Sequence, residues 1–279
     1  MVELEHARAL LEQMGLQTAA QLLDAQLEQS LHTQQTYVQF LNELLSSEQQ
    51  QRQRKSRETR LKLARLPHRK GLEDFDFAFQ PSIDKRQVEE LGTLAFVARE
   101  ENVILLGPPG VGKTHLAVGL ALKALDAGMV VYYTTLSHLI TDLKKAQLQG
   151  RLERRWRVYL RPAVLVIDEV GYMQLDRQEA ELLFRLISER YEHGSIILTS
   201  NKYFSDWGEL LSDNILATAL LDRLLHHAHV VNIRGQTYRL RERWKAGVQP
   251  VAPAELPAVN GPADKDPAKK TSAMFTAFV

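Results

Sequence analysis

Over the first 47 residues, apolar side chains recur at helical spacing: Leu10, Met14, Leu22, Leu23, Leu27 and Leu31, then Tyr37, Phe40, Leu41, Leu44 and Leu45. This period predicts two or three amphipathic helices, with turns near Gly15 and near His32-Thr33. Further along, the stripes give way to short, solid apolar runs. Asn102-Val103-Ile104-Leu105-Leu106, Val130 to Thr135, Val164-Leu165-Val166-Ile167 and Ser195-Ile196-Ile197-Leu198-Thr199 read as strands buried on both faces. Helical periodicity returns between them, at His115 to Leu125, Leu136 to Leu148 and Asp176 to Tyr191, and again at Asp206 to Leu225. Ahead of the first strand, residues 83–99 pattern as one helix. Leu72 to Phe77 pattern as an extended lead-in whose aromatics either cover a base or fill the core. Strand–helix alternation predicts an α/β fold, a three-layer αβα core with a parallel sheet, preceded by a small all-helical N-terminal domain. The expected boundaries are 1–66 for the helical part, 67–248 for the α/β domain and 249–279 for a disordered tail rich in Pro, Ala, Lys and Asp.

Composition adds little. The 279 residues are 44% hydrophobic and 25% charged, with net charge +1 and no cysteine. Disulfide frameworks and thiolate metal sites are excluded. The acidic start, Met1-Val2-Glu3-Leu4-Glu5, is unlike a signal peptide, and no apolar run is long enough to span a bilayer. A cytoplasmic protein with no membrane partner is expected. Charge distribution is more telling. Residues 1–47 hold one Arg and six acids, whereas residues 48–70 hold nine Lys/Arg and two acids, beginning with Arg52, Arg54 and Lys55. A second basic stretch comprises Lys144, Lys145, Arg151, Arg154, Arg155, Arg157 and Arg161, with Trp156 and Tyr159 among them. Each reads either as a solvated face or as a phosphate-neutralising, nucleic-acid-binding surface. Two such stretches flanking one core favour the second reading.

The chemistry centres on Gly107-Pro108-Pro109-Gly110-Val111-Gly112-Lys113-Thr114. A glycine-rich turn between a strand and a helix aims backbone N–H groups and a helix N-terminus at one point, which suits phosphate. Lys113 would reach the β- and γ-phosphates, and the Thr114 hydroxyl would ligate Mg²⁺. Asp168-Glu169 ends the third apolar run, at the strand end where open α/β sheets bind ligands. Asp168 suits Mg²⁺, and Glu169 suits polarising a water for attack on the γ-phosphate. Asn201, one strand later, is placed to sense the γ-phosphate or orient that water. Arg223 and Arg239 are candidates to stabilise charge at an active site shared between subunits; the residues themselves do not separate that role from surface charge.

The chain resembles the IstB family, ATP-binding helpers encoded beside the transposases of bacterial insertion sequences. The resemblance covers about residues 60–245. It rests on Phe75-Asp76-Phe77, Phe79-Gln80-Pro81-Ser82-Ile83-Asp84, Glu101-Asn102-Val103, and the phosphate loop with His115-Leu116-Ala117. It continues in Leu221-Asp222-Arg223-Leu224, His226-His227-Ala228-His229 and Gly235-Gln236-Thr237-Tyr238-Arg239-Leu240. The resemblance implies an AAA+ fold close to DnaC and DnaA, a nucleotide site extending to His115, Arg223 as arginine finger and Arg239 as sensor. It further implies an ATP-dependent ring or spiral homo-oligomer on duplex DNA that activates a partner transposase. A DnaC-type helicase loader is the alternative on the same core. A nucleotide-dependent scaffold without turnover is a third reading, against which Glu169 argues.

Overall fold

The computed structural model describes residues 2–238. Arg239 and the expected tail lie outside the described residues. Three helices open the chain: α1 (Val2–Gln13), α2 (Gln17–Thr33) and α3 (Tyr37–Leu63). Their turns fall at Gly15 and just after Thr33, where the apolar stripes break. Thr36 starts α3 with a capping box, its hydroxyl accepting the Gln39 N–H while the Gln39 side chain accepts the Thr36 N–H, satisfying two otherwise orphaned donors. Ala19, Leu23 and Leu44 form the small core of this bundle. Glu48 is buried, and its carboxylate accepts the Thr18 and Ala19 N–H groups at the start of α2 (2.7 and 3.1 Å) and the Arg52 guanidinium (2.7 Å).

The 27-residue α3 reaches beyond the bundle. Arg57 pairs with Asp126 at 2.6 Å, and the Ala64 carbonyl accepts the Tyr133 N–H at 2.8 Å. The basic half of α3 is thus tied to the α/β core.

That core has elements α4 (Lys85–Leu91), α5 (Ala95–Ala98), β1 (Asn102–Leu106), α6 (Lys113–Asp126), β2 (Val131–Thr135), α7 (Leu136–Leu148), α8 (Leu152–Leu160), β3 (Val164–Val170), α9 (Arg177–Arg190), β4 (Ser195–Ser200), α10 (Trp207–Leu211), α11 (Asn214–Leu225) and β5 (Ala228–Asn232). The sheet is fully parallel, in the order β2-β3-β4-β1-β5. Alternation along the strands divides the core. Ile104, Leu106, Leu165, Ile167, Ile196 and Leu198 face α7 to α11, while Val103, Leu105, Val164, Val166 and Ile197 face α4, α5 and α6. Strands buried on both sides need no polar alternation, which is why they read as solid runs.

Local structure departs from the sequence pattern in four places. The expected helix over 83–99 is two helices, broken where Leu94 takes φ 65°. The expected helix over 206–225 breaks at Ser212 (φ 53°), after which Asp213 caps α11. The lead-in is a 3-10 turn, Leu72–Asp74, closed by the Asp74 carboxylate accepting the Gly71 N–H at 2.9 Å. Its Phe75 is buried in the core beneath the phosphate loop, against Phe77 and His115. Strand β5 carries no solid apolar run; it is a half-buried edge strand that pairs, among the described residues, with β1 alone.

Candidate nucleotide site

Strands β1, β3 and β4 end side by side, bringing the three predicted motifs together. The phosphate loop leaves β1 with Gly107 at φ 152°, Gly110 at 82° and Gly112 at 103°, conformations that favour residues without a Cβ. Space enforces the same choice. A Cβ on Gly110 would lie 2.0 Å from Thr237 Oγ1, and one on Gly112 would lie 2.5 Å from the Phe75 ring. The segment after β5 therefore lies directly on the loop, and the Tyr238 N–H donates to the Gly110 carbonyl at 2.8 Å. Buried Gln80 supports that segment by donating to the Gln236 carbonyl at 2.8 Å. Pro108 and Pro109 are exposed, Val111 is buried, and Lys113 starts α6 as a buried residue. Lys113 Nζ donates to the Gly107 and Pro108 carbonyls at 2.7 and 2.8 Å. His115 Nε2 lies 2.8 Å from the Gly71 carbonyl oxygen, so it braces the loop helix against the lead-in turn.

Asp168 is buried at the end of β3. Its carboxylate accepts the Thr114 hydroxyl at 3.0 and 3.1 Å, the Tyr133 hydroxyl at 2.6 Å and the Thr199 hydroxyl. Burial and the neighbouring Asp168 push the Tyr133 hydroxyl well above its ordinary pKa, so it stays a donor. Register with β4 shifts between Ile167 and Val170. Glu169, in that irregular step, takes φ 62° and is exposed, its N–H held by Thr199 Oγ1 at 3.1 Å. A bulge re-aims side chains; here it turns one carboxylate inward and its neighbour outward. Asn201 follows β4, and its Oδ1 is buried without a hydrogen-bond partner among the described residues. A buried orphan acceptor is costly, and at this position it suits a water or a phosphate-bound group. The glycine cradle, the paired Thr114 and Asp168 oxygens and the unsatisfied Asn201 oxygen together fit a Mg²⁺–nucleotide. Tyr133 and Thr199 were not among the sequence-derived candidates; Thr199, on β4 two residues before Asn201, carried the better signal.

Arg223 lies elsewhere. It is half-buried on α11 with its guanidinium 4.6 Å from the centre of the Phe184 ring. The backbone carbonyl of the next residue, Leu224, accepts the Asn102 side-chain amide at 3.1 Å. Asn102 opens β1, so Arg223 is near the strand end opposite the phosphate loop, about 16 Å away along β1 at ~3.3 Å per residue.

The basic stretches hold both paired and unpaired cations among the described residues. Arg52 is bound to Glu48 and the Gly15 carbonyl, whereas Arg54 and Lys55 are exposed. Lys144 pairs with Asp176 and Glu179 at 3.3 and 2.8 Å, and Arg155 pairs with Asp142. Arg151 donates to Gln149, and Lys145, Arg154, Arg157 and Arg161 are exposed without ion pairs among the described residues. Trp156 and Tyr159 are buried, hydrogen-bonded to Glu189 and Asp142 at 2.6 and 2.5 Å. They belong to the core and do not form a stacking platform for bases.

No helix among the described residues is long and apolar enough to cross a membrane. Among solved structures, the chain is similar to the replication initiator DnaA bound to AMPPCP and single-stranded DNA, at 18% identity and TM-score 0.53, covering 65% of this chain and 56% of that one. It is also similar to DnaI, at 20% identity and TM-score 0.50, covering 63% and 92%. These likenesses establish the AAA+ fold. A protein of Pseudomonas aeruginosa described as an ATP-binding protein of insertion sequence IS21 is 52% identical over 89% of this chain and 92% of its own length. The corresponding IS5376 protein of Geobacillus stearothermophilus is 49% identical over 75% and 83%. Residues 9–246 match the family described as IstB-like ATP binding protein, and with the nucleotide cradle at the sheet's end, the chain belongs to that family of insertion-sequence ATP-binding proteins.

Proposed function

We propose that this ATP-binding protein hydrolyses ATP with Mg²⁺, assembles as a ring or spiral homo-oligomer on duplex DNA, and activates the transposase of its insertion sequence. The observation that carries the reading is the division of labour at the bulge of β3. Asp168 is buried among three hydroxyl donors, while Glu169 beside it is turned out to the open strand end. One carboxylate is shaped to hold a cation with Thr114, and the other is free to take a proton from an attacking water. When bound, Mg²⁺ neutralises charge on the phosphate oxygens. Lys113 exchanges its loop carbonyls for phosphate oxygens, and Asn201 orients the water through its unsatisfied Oδ1.

The place of Arg223 supports assembly. About 16 Å of strand, at ~3.3 Å per residue, separates it from its own phosphate loop, so a finger role is served in a neighbouring subunit. Arg239, outside the described residues, is assigned the sensor role on sequence resemblance alone. Exposed Lys145, Arg151, Arg154, Arg157 and Arg161, with Arg54 and Lys55 on α3, are among the cations available for DNA phosphates. Kinship to insertion-sequence proteins at 52% identity favours transposition over helicase loading.

The test combines the purified chain, ATP, Mg²⁺, duplex DNA and the cognate transposase. Electron microscopy should show a closed or spiral oligomer around DNA that Lys113→Ala prevents, and strand transfer should rise only with ATP and this protein. Strand transfer independent of the protein would refute the reading.

A further inference from the structure

At the strand end opposite the phosphate loop, two turns bring three metal-ligating side chains together. Glu192 follows α9 with φ 56°, a left-handed conformation that turns the chain toward β4. His226 is the C-cap of α11. His227 leads into β5, and its carbonyl accepts the Asn102 N–H at 2.8 Å. One donor atom from each of Glu192, His226 and His227 lies within 4.8 Å of one from each of the others. His227 Nε2 is 3.9 Å from Glu192 Oε1, and the two imidazole centroids are 4.1 Å apart. The Tyr191 hydroxyl lies 2.6 Å from His226 Nδ1, holding that ring and leaving Nε2 as its open nitrogen.

We propose that Glu192, His226 and His227 form a binding site for a divalent transition-metal ion of the zinc class. Two imidazoles and one carboxylate match zinc chemistry, whereas Mg²⁺ and Ca²⁺ call for oxygen ligands throughout. Tetrahedral ligation at about 2.1 Å sets donors about 3.4 Å apart. Closing from the present spacing to this one calls for side-chain rotation, for which the exposure of all three residues leaves room. Tyr191 acts on the ligand set from outside it, fixing an imidazole as second partners of metal-bound histidines do. Three protein ligands leave a fourth position for water or another group.

Charge at the site is mixed. Arg223 and Glu100 line the adjoining recess with Glu192 and His227. Arg190, also on that recess, is committed to the carbonyls of Tyr159, Leu160, Ala163 and Ser195. An ion here would tie the turn after α9 to the turn after α11. Arg223 sits three residues before His226, so occupancy would also fix the helix end that carries it. The site stands on this chain's own geometry and does not depend on the nucleotide reading.

Tag-free full-length protein, without nucleotide, is titrated with Zn²⁺ against a chromophoric chelator. One ion per chain is expected, with affinity falling at least about 100-fold in His226→Ala/His227→Ala and about 10-fold in Tyr191→Phe. Co²⁺ in its place should give the intense visible bands of a tetrahedral site. Circular dichroism and melting verify folding of each variant. Absence of stoichiometric binding, or equal affinity in wild type and a folded double-histidine variant, overturns the proposal. Should the double variant not fold, Tyr191→Phe decides: unchanged affinity overturns it, and a 10-fold loss upholds it.

Discussion

Replacing Gly110 with alanine should cripple ATP binding for two separable reasons. Gly110 has φ 82°, where an L-residue costs ~1–2 kcal/mol. The new Cβ would lie 2.0 Å from Thr237 Oγ1 and 2.9 Å from Thr237 Cβ, a collision with the segment that follows β5. Overpacking of this kind costs ~1–3 kcal/mol. The part of this sum, ~2–5 kcal/mol, that the empty loop relieves by relaxing must be restored on binding, which sets a ceiling of roughly 30-fold to 4,000-fold in affinity at ~1.4 kcal/mol per decade. A loop that relaxes to escape the strain loses affinity all the same, because its N–H groups then no longer converge on phosphate.

The double variant separates the two effects. Thr237→Gly removes the collision and leaves the backbone strain, so Gly110→Ala/Thr237→Gly should bind better than Gly110→Ala alone. The expected recovery is ~1–3 kcal/mol, or roughly 5-fold to 140-fold. The assay is titration of a fluorescent ATP analogue, with Thr237→Gly alone as reference and melting curves to verify folding. Wild-type affinity in Gly110→Ala, or no recovery in the double variant, would refute the claim that this segment is packed on the phosphate loop.

Glu169→Gln should keep ATP affinity while lowering hydrolysis by about 10²-fold or more, measured by phosphate release; wild-type turnover would remove Glu169 from its role. Arg223→Ala should lower hydrolysis by about 10³-fold and spare nucleotide affinity, and mixing it with Lys113→Ala protein should restore some activity at hybrid interfaces. No recovery despite co-assembly would place Arg223 in cis or in a structural role. The carboxyl of Glu101 is held down to about 2, from an ordinary 4.5, by the Arg99 guanidinium and His229. Its contribution to stability is therefore present above pH 4.5 and lost as pH falls from there toward 2. Glu101→Gln should flatten the acid limb of Tm against pH in that window, and an unchanged limb would refute the assignment.

Much of this architecture was legible because its physics is local. Buried parallel strands need uninterrupted apolar residues, so β1 to β4 stood out, and the phosphate loop announced itself by glycines that the backbone requires. Elements set by tertiary partners were less visible. Strand β5 forms because β1 offers a free edge, although Ala228 to Asn232 holds only the short apolar pair Val230-Val231. The breaks at Leu94 and Ser212 depend on single residues in left-handed conformation, which a helical period cannot register. Within the site, Tyr133 and Thr199 became visible only once β2, β3 and β4 were side by side.

The arginines show the same divide between composition and partnership. A count of charges over residues 144–161 makes every cation equivalent, opposed by Glu153 alone. Folding brings in acids from other elements: Asp142 from α7, and Asp176 and Glu179 from the start of α9. Arg155 and Lys144 are thereby engaged, and releasing either for a phosphate would break an existing pair. Arg154, Arg157 and Arg161 have no such pair among the described residues. Charge reversal at these three should therefore weaken duplex binding at every sequence and reduce the salt slope by about 0.9 for each phosphate that is no longer neutralised. Alanine at Arg155 should instead lower the melting temperature, because among the described residues it leaves Asp142 with only the Tyr159 hydroxyl as partner. Anisotropy at several salt concentrations, with ATP present, separates the two groups. Equal weakening of DNA binding by Arg155→Ala and by reversal of the exposed three would mean that ion pairing does not decide which cations meet the DNA.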